Sequence, residues 1–185
     1  RYRRGSKVYV DRTSARPTVP SWYSERLPLS YDLARELLAF QRDLLARRES
    51  GGVPAVRDWL RESSLSERAV RSLTRLYDQQ VAFAGPESVS TPDRIAVEEE
   101  RDRGEYRRRY YVHTLYGRRF NDGLSRLLAA ACASESNASV TVAVADNGFV
   151  LSMPLNRRVD AAGILRGLDP DDARADLRSA LEGTD

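Results

Sequence analysis

The chain has 185 residues, of which 41% are hydrophobic and 31% charged, a composition typical of an ordered globular protein of one large or two small domains. We expect no membrane span, no signal peptide and a reducing, cytoplasmic setting, since apolar runs are short and Cys132 is the single cysteine. The chain has one lysine, Lys7, and one histidine, His113. The sequence therefore contains no phosphate-binding G-x-x-x-x-G-K-[ST] loop and cannot form a metal site from several histidines. Enzymatic activity within the chain is not expected.

The first segment is basic and strand-like over Ser6–Asp11, and a connector at 13–29 follows. Three prolines exclude a regular helix from that connector. Trp22 lies within it, either as a plug against the core or as an exposed platform for a base. The chain begins without Met in the middle of the strand-like stretch and stops directly after a helical segment, so we expect a piece of a longer protein.

Three helices come next. The first is predicted from Tyr31 to Arg48 and ends at Gly51–Gly52, and a short second helix has Pro54 in its first turn. The third begins at a capping box, Ser64–Glu67, and runs to Ala82. The apolar residues predicted to face inward are Leu33, Leu37, Phe40 and Leu44 on the first helix, in a stripe widened by Ala34, Leu38 and Leu45. On the second helix they are Val56, Trp59 and Leu60, and on the third Leu65, Ala69, Leu73, Leu76 and Tyr77.

Two strands, Arg94–Glu99 and Tyr106–Leu115, are joined by a short charged link, which indicates a β-hairpin. Three helices followed by a hairpin is the order of a winged helix. The later elements are a helix at Phe120–Ser134, a strand at Val140–Val144, a turn at Asp146–Gly148, a strand at Phe149–Met153, and helices at Asp160–Leu168 and Pro170–Leu181.

The predicted fold class is therefore α+β. A winged-helix-like unit (30–116) would follow the N-terminal strand and connector (1–29), and a helix/β-hairpin/helix unit (117–185) would complete the chain. Residues 159–185 are acidic and residues 1–26 are strongly basic. An arginine-rich basic body suggests a nucleic-acid partner, and the acidic last helices would pack away from it.

Three groups of residues are candidate nucleic-acid contacts. Arg68, Arg71 and Arg75 share one face of the third helix and suit phosphates, although a solvated face with local pairs such as Glu67–Arg71 gives the same pattern. The second group is the strand Tyr106–Tyr116, where Arg107, Arg108 and Arg109 interleave with tyrosines. These residues either hold a single strand or pair with Glu98, Glu99 and Glu100 across the hairpin.

The third group lies at the start of the next helix. Arg118, Arg119 and Asn121 would place positive charge and free N–H groups at a helix N-terminus, which favours a phosphate. Asn121 could equally be a helix cap. Cys132 is expected to be a small buried residue and His113 a structural one.

Three stretches of the chain share a pattern with a known helicase family: TVPSWYSERLPLSYDLARELLAF (18–40), HTLYGRRFNDGLSRLLA (113–129) and DNGFVLSMP (146–154). The most specific run is H-[ST]-x-[FY]-G-x-[RK]-[FV]-N, here His113 to Asn121. Together they resemble the DEAD/H-associated region of the large helicase-related (Lhr) superfamily 2 helicases, most closely the archaeal branch.

The resemblance implies a parent enzyme that hydrolyses ATP with Mg²⁺, translocates 3′ to 5′ on DNA and serves DNA repair. It also implies that this portion grips the single strand, beside RecA-like motor domains of the same parent. The family's P-x-W motif matches Pro20–Ser21–Trp22, so the resemblance assigns Trp22 to a nucleobase. The family often continues with a basic residue and glycine, whereas Tyr23–Ser24 stand here, so no basic contact after Trp22 is carried over.

Two other functions compete with this one. A structural module would brace the motor domains without touching nucleic acid, and its arginines would pair with acids. A repair enzyme would need a carboxylate in a pocket, and Glu105 and Asp122 are the acids nearest the arginine-rich stretches. DNA is the expected partner, with RNA or an RNA–DNA hybrid as other nucleic acids that the same groups would bind.

Overall fold

The computed structural model describes residues 2–4, 7–9 and 29–182. Two short strands, β1 (Tyr2–Arg4) and β2 (Lys7–Tyr9), pair antiparallel, so part of the predicted N-terminal strand is confirmed. The connector, apart from Leu29, lies outside the described residues, and Trp22 lies there with it. No helix among the described residues is long and apolar enough to cross a membrane.

Two arms of one long helix, α1 (Tyr31–Glu62), meet at Gly52, whose positive φ of 66° breaks the helical path just before Pro54. The predicted pair of helices is thus confirmed as two arms. The helix α2 (Glu67–Ala84) follows, and the Ser66 hydroxyl accepts a hydrogen bond from the N–H of Ala69 at 3.2 Å. The predicted capping box at Ser64 is wrong, because Ser66 occupies the cap position and Ala69 stands where the box needs an acid.

α1 and α2 pack around Leu44, Val56, Leu60 and Val70, with Phe40 and Trp59 stacked 5.1 Å apart beside them. The inward faces of the second arm are confirmed, but two predicted stripes are partly wrong. On α1, Leu33 and Leu37 are exposed, whereas Ala34 and Leu38, which widen the predicted stripe, are buried as expected. Leu65, which precedes α2, and Leu76 on α2 are exposed, whereas Val70, Thr74 and Val81 are buried. Adjacent apolar positions left the choice of face to tertiary packing.

A four-stranded antiparallel sheet follows a 3₁₀ turn at Pro86–Ser88. Its strands are β3 (Ala96–Asp102), β4 (Arg107–His113), β5 (Thr141–Ala145) and β6 (Gly148–Pro154), in the spatial order β3-β4-β6-β5. Both predicted hairpins are confirmed. The central β4–β6 pairing, with Tyr110 opposite Leu151, joins the two hairpins into one sheet.

Helices cover one face of this sheet. α3 (Arg118–Ser136) packs on β5 and β6, and α4 (Ala161–Gly167) and α5 (Ala173–Glu182) pack on α3. The core contains Val112, Leu128, Leu151 and Met153. Cys132 is fully buried there, and burial raises the pKa of its thiol to about 11, so it is the small buried residue that was predicted.

The α+β class is confirmed. The boundary at 116/117 stays a prediction, and the sheet itself is shared by residues on both sides of it. Two glycines allow the close approaches near this point. Gly117 has a φ of 85° and lies against the Leu29 carbonyl, and a Cβ at Gly148 would collide with the Val112 carbonyl. The start of α1 and the start of α3 are therefore held side by side.

Candidate nucleic-acid interface

The exposed face of α2 carries Arg68, Arg71 and Arg75 at helical spacing. The two carboxylates of this helix are both bound by arginines of α1. Arg61 Nε lies 3.0 Å from Glu67 Oε1, and Arg48 Nη2 lies 2.8 Å from Asp78 Oδ1. The alternative pair Glu67–Arg71 is therefore not formed, and none of the three α2 arginines has an ion pair or hydrogen bond among the described residues.

The arginines of β4 lie in a different environment. Alternation along the strand directs Arg108 inward, where it pairs with Glu99 and donates to the carbonyls of Leu155 (3.1 Å) and Arg157 (2.8 Å). Arg108 is 7% exposed. Its guanidinium group is therefore bound by partners within the fold.

Arg109 is surrounded by acids on the other face of the hairpin. It pairs with Glu100 at 3.2 Å, with Asp102 at 2.9 Å and with Glu105. Hydrogen bonds to Asp102 and Glu100 raise the pKa of its guanidinium. These contacts match the cross-strand alternative for this strand, and they leave Arg109 poorly placed to hold a phosphate.

Arg107 is half-buried and makes no ion pair with the residues that the structure describes. The tyrosines of the same stretch differ in exposure. Tyr110 is buried, and its hydroxyl donates to the Val159 carbonyl at 2.9 Å, while Tyr111 donates to Glu100 at 2.7 Å. Burial raises the pKa of Tyr110. Only Tyr106, at the tip of the hairpin, stays exposed enough to stack on a base.

At the start of α3, Asn121 has no exposed surface. Its amide nitrogen donates to the carbonyls of Ala145 (2.8 Å) and Asp146 (3.1 Å), and its carbonyl accepts from the Thr114 hydroxyl. Every polar atom of the side chain is bonded within the fold, which argues against the predicted contact of Asn121 with nucleic acid; that contact stays a prediction. Asn121 is not a cap, since Gly117 occupies that position.

The two arginines beside it are both exposed. Arg118 donates to the Val144 carbonyl at 2.9 Å and so is tied to the neighbouring hairpin. Arg119 makes no ion pair or hydrogen bond within the described part of the chain. Of this predicted group, Arg119 is the side chain left to meet a phosphate.

An aromatic ladder at the junction of α1 and α3 was not predicted. Tyr31 stacks on Tyr116 with ring centroids 5.8 Å apart and an interplanar angle of 23°, and Tyr116 meets Phe120 at 5.0 Å and 58°. Tyr116 and Phe120 are four residues apart in the run with the most specific family pattern. Tyr31 is distant in sequence, so only the fold reveals that the three rings form one group.

The acids proposed for a repair enzyme do not form a buried site. Glu105 is exposed and bound by Arg109, and Asp122 is exposed and lies 3.4 Å from Arg126. Among the described residues, no group of three or more histidine, cysteine, aspartate or glutamate side chains could hold a metal ion.

The comparisons with known proteins agree with the sequence pattern. A family model described as DEAD/H associated matches residues 89–185. The chain belongs to the DEAD/H-associated family. The family resemblance predicted from the three sequence stretches is thereby confirmed.

Several curated relatives are similar over most of this chain. The ATP-dependent helicase Lhr-Core protein 2 of Thermococcus barophilus is 32% identical over 184 residues, covering 98% of this chain and 20% of the relative. The ATP-dependent helicase Lhr-Core of Methanothermobacter thermautotrophicus is 36% identical over 190 residues, covering 100% of this chain and 21% of the relative. The chain thus spans about a fifth of the length of these relatives.

A solved structure shares the fold. The helicase Lhr of Mycobacterium smegmatis, in a structure bound to ssDNA and AMP-PNP, matches with a TM-score of 0.70 and 19% identity over 92% of this chain and 21% of that one. This likeness shows that the two chains share a fold.

Proposed function

We propose that this DEAD/H-associated chain is an accessory, nucleic-acid-binding portion of an Lhr-type ATP-dependent helicase. It grips the single strand on which the parent enzyme moves 3′ to 5′. One observation carries this proposal: the face of α2 holds Arg68, Arg71 and Arg75, and no carboxylate among the described residues neutralises them. Guanidinium groups bind phosphates bidentately, so this face suits a polyanion.

The spacing of the three arginines fits an extended backbone. The first and the last lie seven positions apart, and at 1.5 Å per residue the α2 face holds positive charge over about 10 Å. Arg107 and Arg119 are further phosphate contacts in this proposal, since neither has an ion pair within the described residues. Trp22 keeps its proposed place as a base-stacking residue on the strength of the P-x-W pattern.

The chemistry of the parent is placed outside this chain. We assign ATP and Mg²⁺ to motor portions of the parent, because the single lysine, Lys7, is not part of a phosphate-binding loop. The partners in this proposal are single-stranded DNA, with RNA or an RNA–DNA hybrid as the other strands that phosphate contacts would accept, and RecA-like motor domains of the same parent.

A module that braces the motor domains is the second candidate. The internal pairing of Arg108 and Arg109 favours it, because that function needs no free charge on the hairpin. So does Phe83, a side chain 91% exposed on α2 that has no ring contact among the described residues. Such a surface would contact protein instead of a nucleic acid.

A salt series distinguishes the two candidates. Affinity for a fluorescent single-stranded DNA is measured for the chain and for a triple variant, Arg68→Ala, Arg71→Ala and Arg75→Ala. We expect the slope of log K against log salt to fall by roughly two, since each lost contact with a single strand removes about 0.7. Trp22→Ala is expected to lose roughly 1–3 kcal/mol of binding free energy.

A charge-matched control is at hand. Arg57, Arg174 and Arg178 are exposed and form no ion pair within the described residues, so replacing all three by alanine removes the same charge elsewhere. Strand gripping predicts that this control keeps the slope of the unchanged chain. Absence of binding at low salt by the folded chain would transfer the function to the bracing module.

A further inference from the structure

The aromatic ladder Tyr31–Tyr116–Phe120 differs from the other aromatic group of the molecule. Phe40 and Trp59 form part of the α1–α2 core, and Arg47 covers the Trp59 ring at 4.3 Å. The ladder lies at the surface. Tyr31 is 57% exposed and Phe120 43% exposed, although each already has another ring beside it.

The geometry leaves the two outer rings free on one side. Tyr116 lies between Tyr31 and Phe120 and is itself half-buried, so the covered surface is the inner one. The Tyr31 hydroxyl makes no hydrogen bond to any residue described in the structure. The ring contact that each outer ring makes among the described residues is the one with Tyr116.

Two arginines flank the rings. Arg35 follows Tyr31 by one helical turn, and Arg119 precedes Phe120; both are exposed, and neither has an ion pair within the described residues. Burial, followed by the proximity of Tyr31, raises the pKa of Tyr116, while the charge of Arg35 works in the opposite direction. The charge of Asp93 also raises the pKa of Tyr116.

We propose that the ladder is a stacking platform for the bases of a single-stranded nucleic acid, with Tyr31 and Phe120 offering ring faces and Arg35 and Arg119 holding flanking phosphates. Exposed aromatic faces interleaved with unpaired arginines are the two elements from which sequence-tolerant single-strand sites are built. The inference rests on the proposed function and adds to it a base contact on described residues, independent of Trp22.

A neighbouring groove could bind a protein segment, which is the main alternative to stacking of bases on the ladder. A cleft of about 970 Å³ between β3, α3, α4 and α5 begins at Tyr116 and Phe120 and is lined mainly by apolar side chains such as Leu124, Leu165 and Leu177. A protein segment seated there would also cover the ladder. Its contacts would be apolar and would not depend on the presence of bases, and this difference makes the proposal testable.

The test measures affinity of Tyr31→Ala and Phe120→Ala for a fluorescent oligothymidylate and for an abasic oligomer of the same length. On the oligothymidylate we expect each variant to bind about fivefold to a hundredfold more weakly. On the abasic strand each variant should match the unchanged chain. Tyr31→Phe, which keeps the ring, should stay within about twofold of it. Phe83→Ala removes a ring that is more exposed than either ladder ring, at 91%, from the end of α2 and should change neither affinity.

Thermal unfolding of every variant shows that the fold is retained. Equal loss on both strands, or no loss on either, overturns the stacking platform. If the ladder variants bind normally while the α2 triple variant binds weakly, the platform fails and the proposed function stands. If the unchanged chain binds neither strand at low salt, the proposed function fails and the platform fails with it.

Discussion

The arginines of α2 and those of the β3–β4 hairpin lie in segments of similar net charge, but they differ in whether the fold pairs them with carboxylates. On α2, both carboxylates are taken by Arg61 and Arg48 of α1, so the helix's own arginines face solvent unpaired among the described residues. On the hairpin, antiparallel register places Glu100 directly opposite Arg109, and Asp102 lies within reach. The arginines that remain available to bind a polyanion are therefore determined by which arginines pair with the carboxylates. A count of arginines in the sequence does not show this.

The difference follows from periodicity. A helix separates residues on one face by three or four positions, so an acid needs the right spacing to neutralise its neighbour. In this hairpin the register sets the run Glu98–Asp102 against Arg107–Tyr111, so that Glu100 lies opposite Arg109 and Asp102 opposite Arg107. The alternation of arginine and tyrosine in the sequence of that strand is compatible with a nucleic-acid-binding surface and equally with arginines paired across the hairpin.

The largest expected effect is on Arg108. Arg108→Ala should lower the free energy of unfolding by about 2–4 kcal/mol, because the loss of this buried guanidinium leaves two carbonyls without their donor and Glu99 without one of its partners. Urea denaturation measures the loss. Arg71→Ala on α2 is the matched exposed change and should stay within about 0.5 kcal/mol. Equal effects of the two variants would show that the hairpin arginine is not structural.

A smaller loss of stability is expected at Asn121. Asn121→Ala should lower the free energy of unfolding by roughly 1–3 kcal/mol, since the hydrogen bonds to Ala145, Asp146 and Thr114 are lost from a buried site. Affinity for single-stranded DNA should be unchanged while the protein is folded. Arg119→Ala, two residues away, should do the reverse. A binding defect in folded Asn121→Ala would support the sequence-based prediction.

The hairpin should also respond to acid. Burial opposes ionisation of Glu99, yet a hydrogen bond from Arg101 and the charge of Arg108 hold its pKa below the ordinary value. Bonds from the Tyr111 hydroxyl and Arg109 lower the pKa of Glu100, and the Glu105 N–H and Arg109 lower that of Asp102.

Lowered carboxyl pKa values give stability that is present above the unfolded-state pKa and lost as pH falls through the folded one. Urea midpoints should therefore drop from about pH 5 downward. Arg109→Ala should flatten that drop, because Glu100 and Asp102 then titrate closer to their ordinary values. Identical pH profiles for the two proteins would contradict this account of the ion pairs.

Local sequence patterns predicted most of the secondary structure and less of the candidate site. Periodicity, Gly52 with Pro54 and the Asp146–Gly148 turn are local signals, and the corresponding elements are confirmed. The local pattern does not distinguish a cap at Ser66 from one at Ser64, nor buried Leu38 from exposed Leu37, because both leucines fall within the predicted stripe. The β4–β6 pairing and the Tyr31–Tyr116 stack join distant segments, so no local pattern contains them. The winged-helix description stays a prediction.

The most direct test compares two variants that remove equal charge from the two regions. Arg71→Ala with Arg75→Ala takes two unpaired arginines from α2, and Arg101→Ala with Arg109→Ala takes two paired ones from the hairpin. The salt dependence of single-stranded DNA binding is measured for both. The account predicts a slope lower by about 1.4 for the α2 variant and an unchanged slope for the hairpin variant. Equal slopes would show that pairing within the fold does not decide which arginines bind.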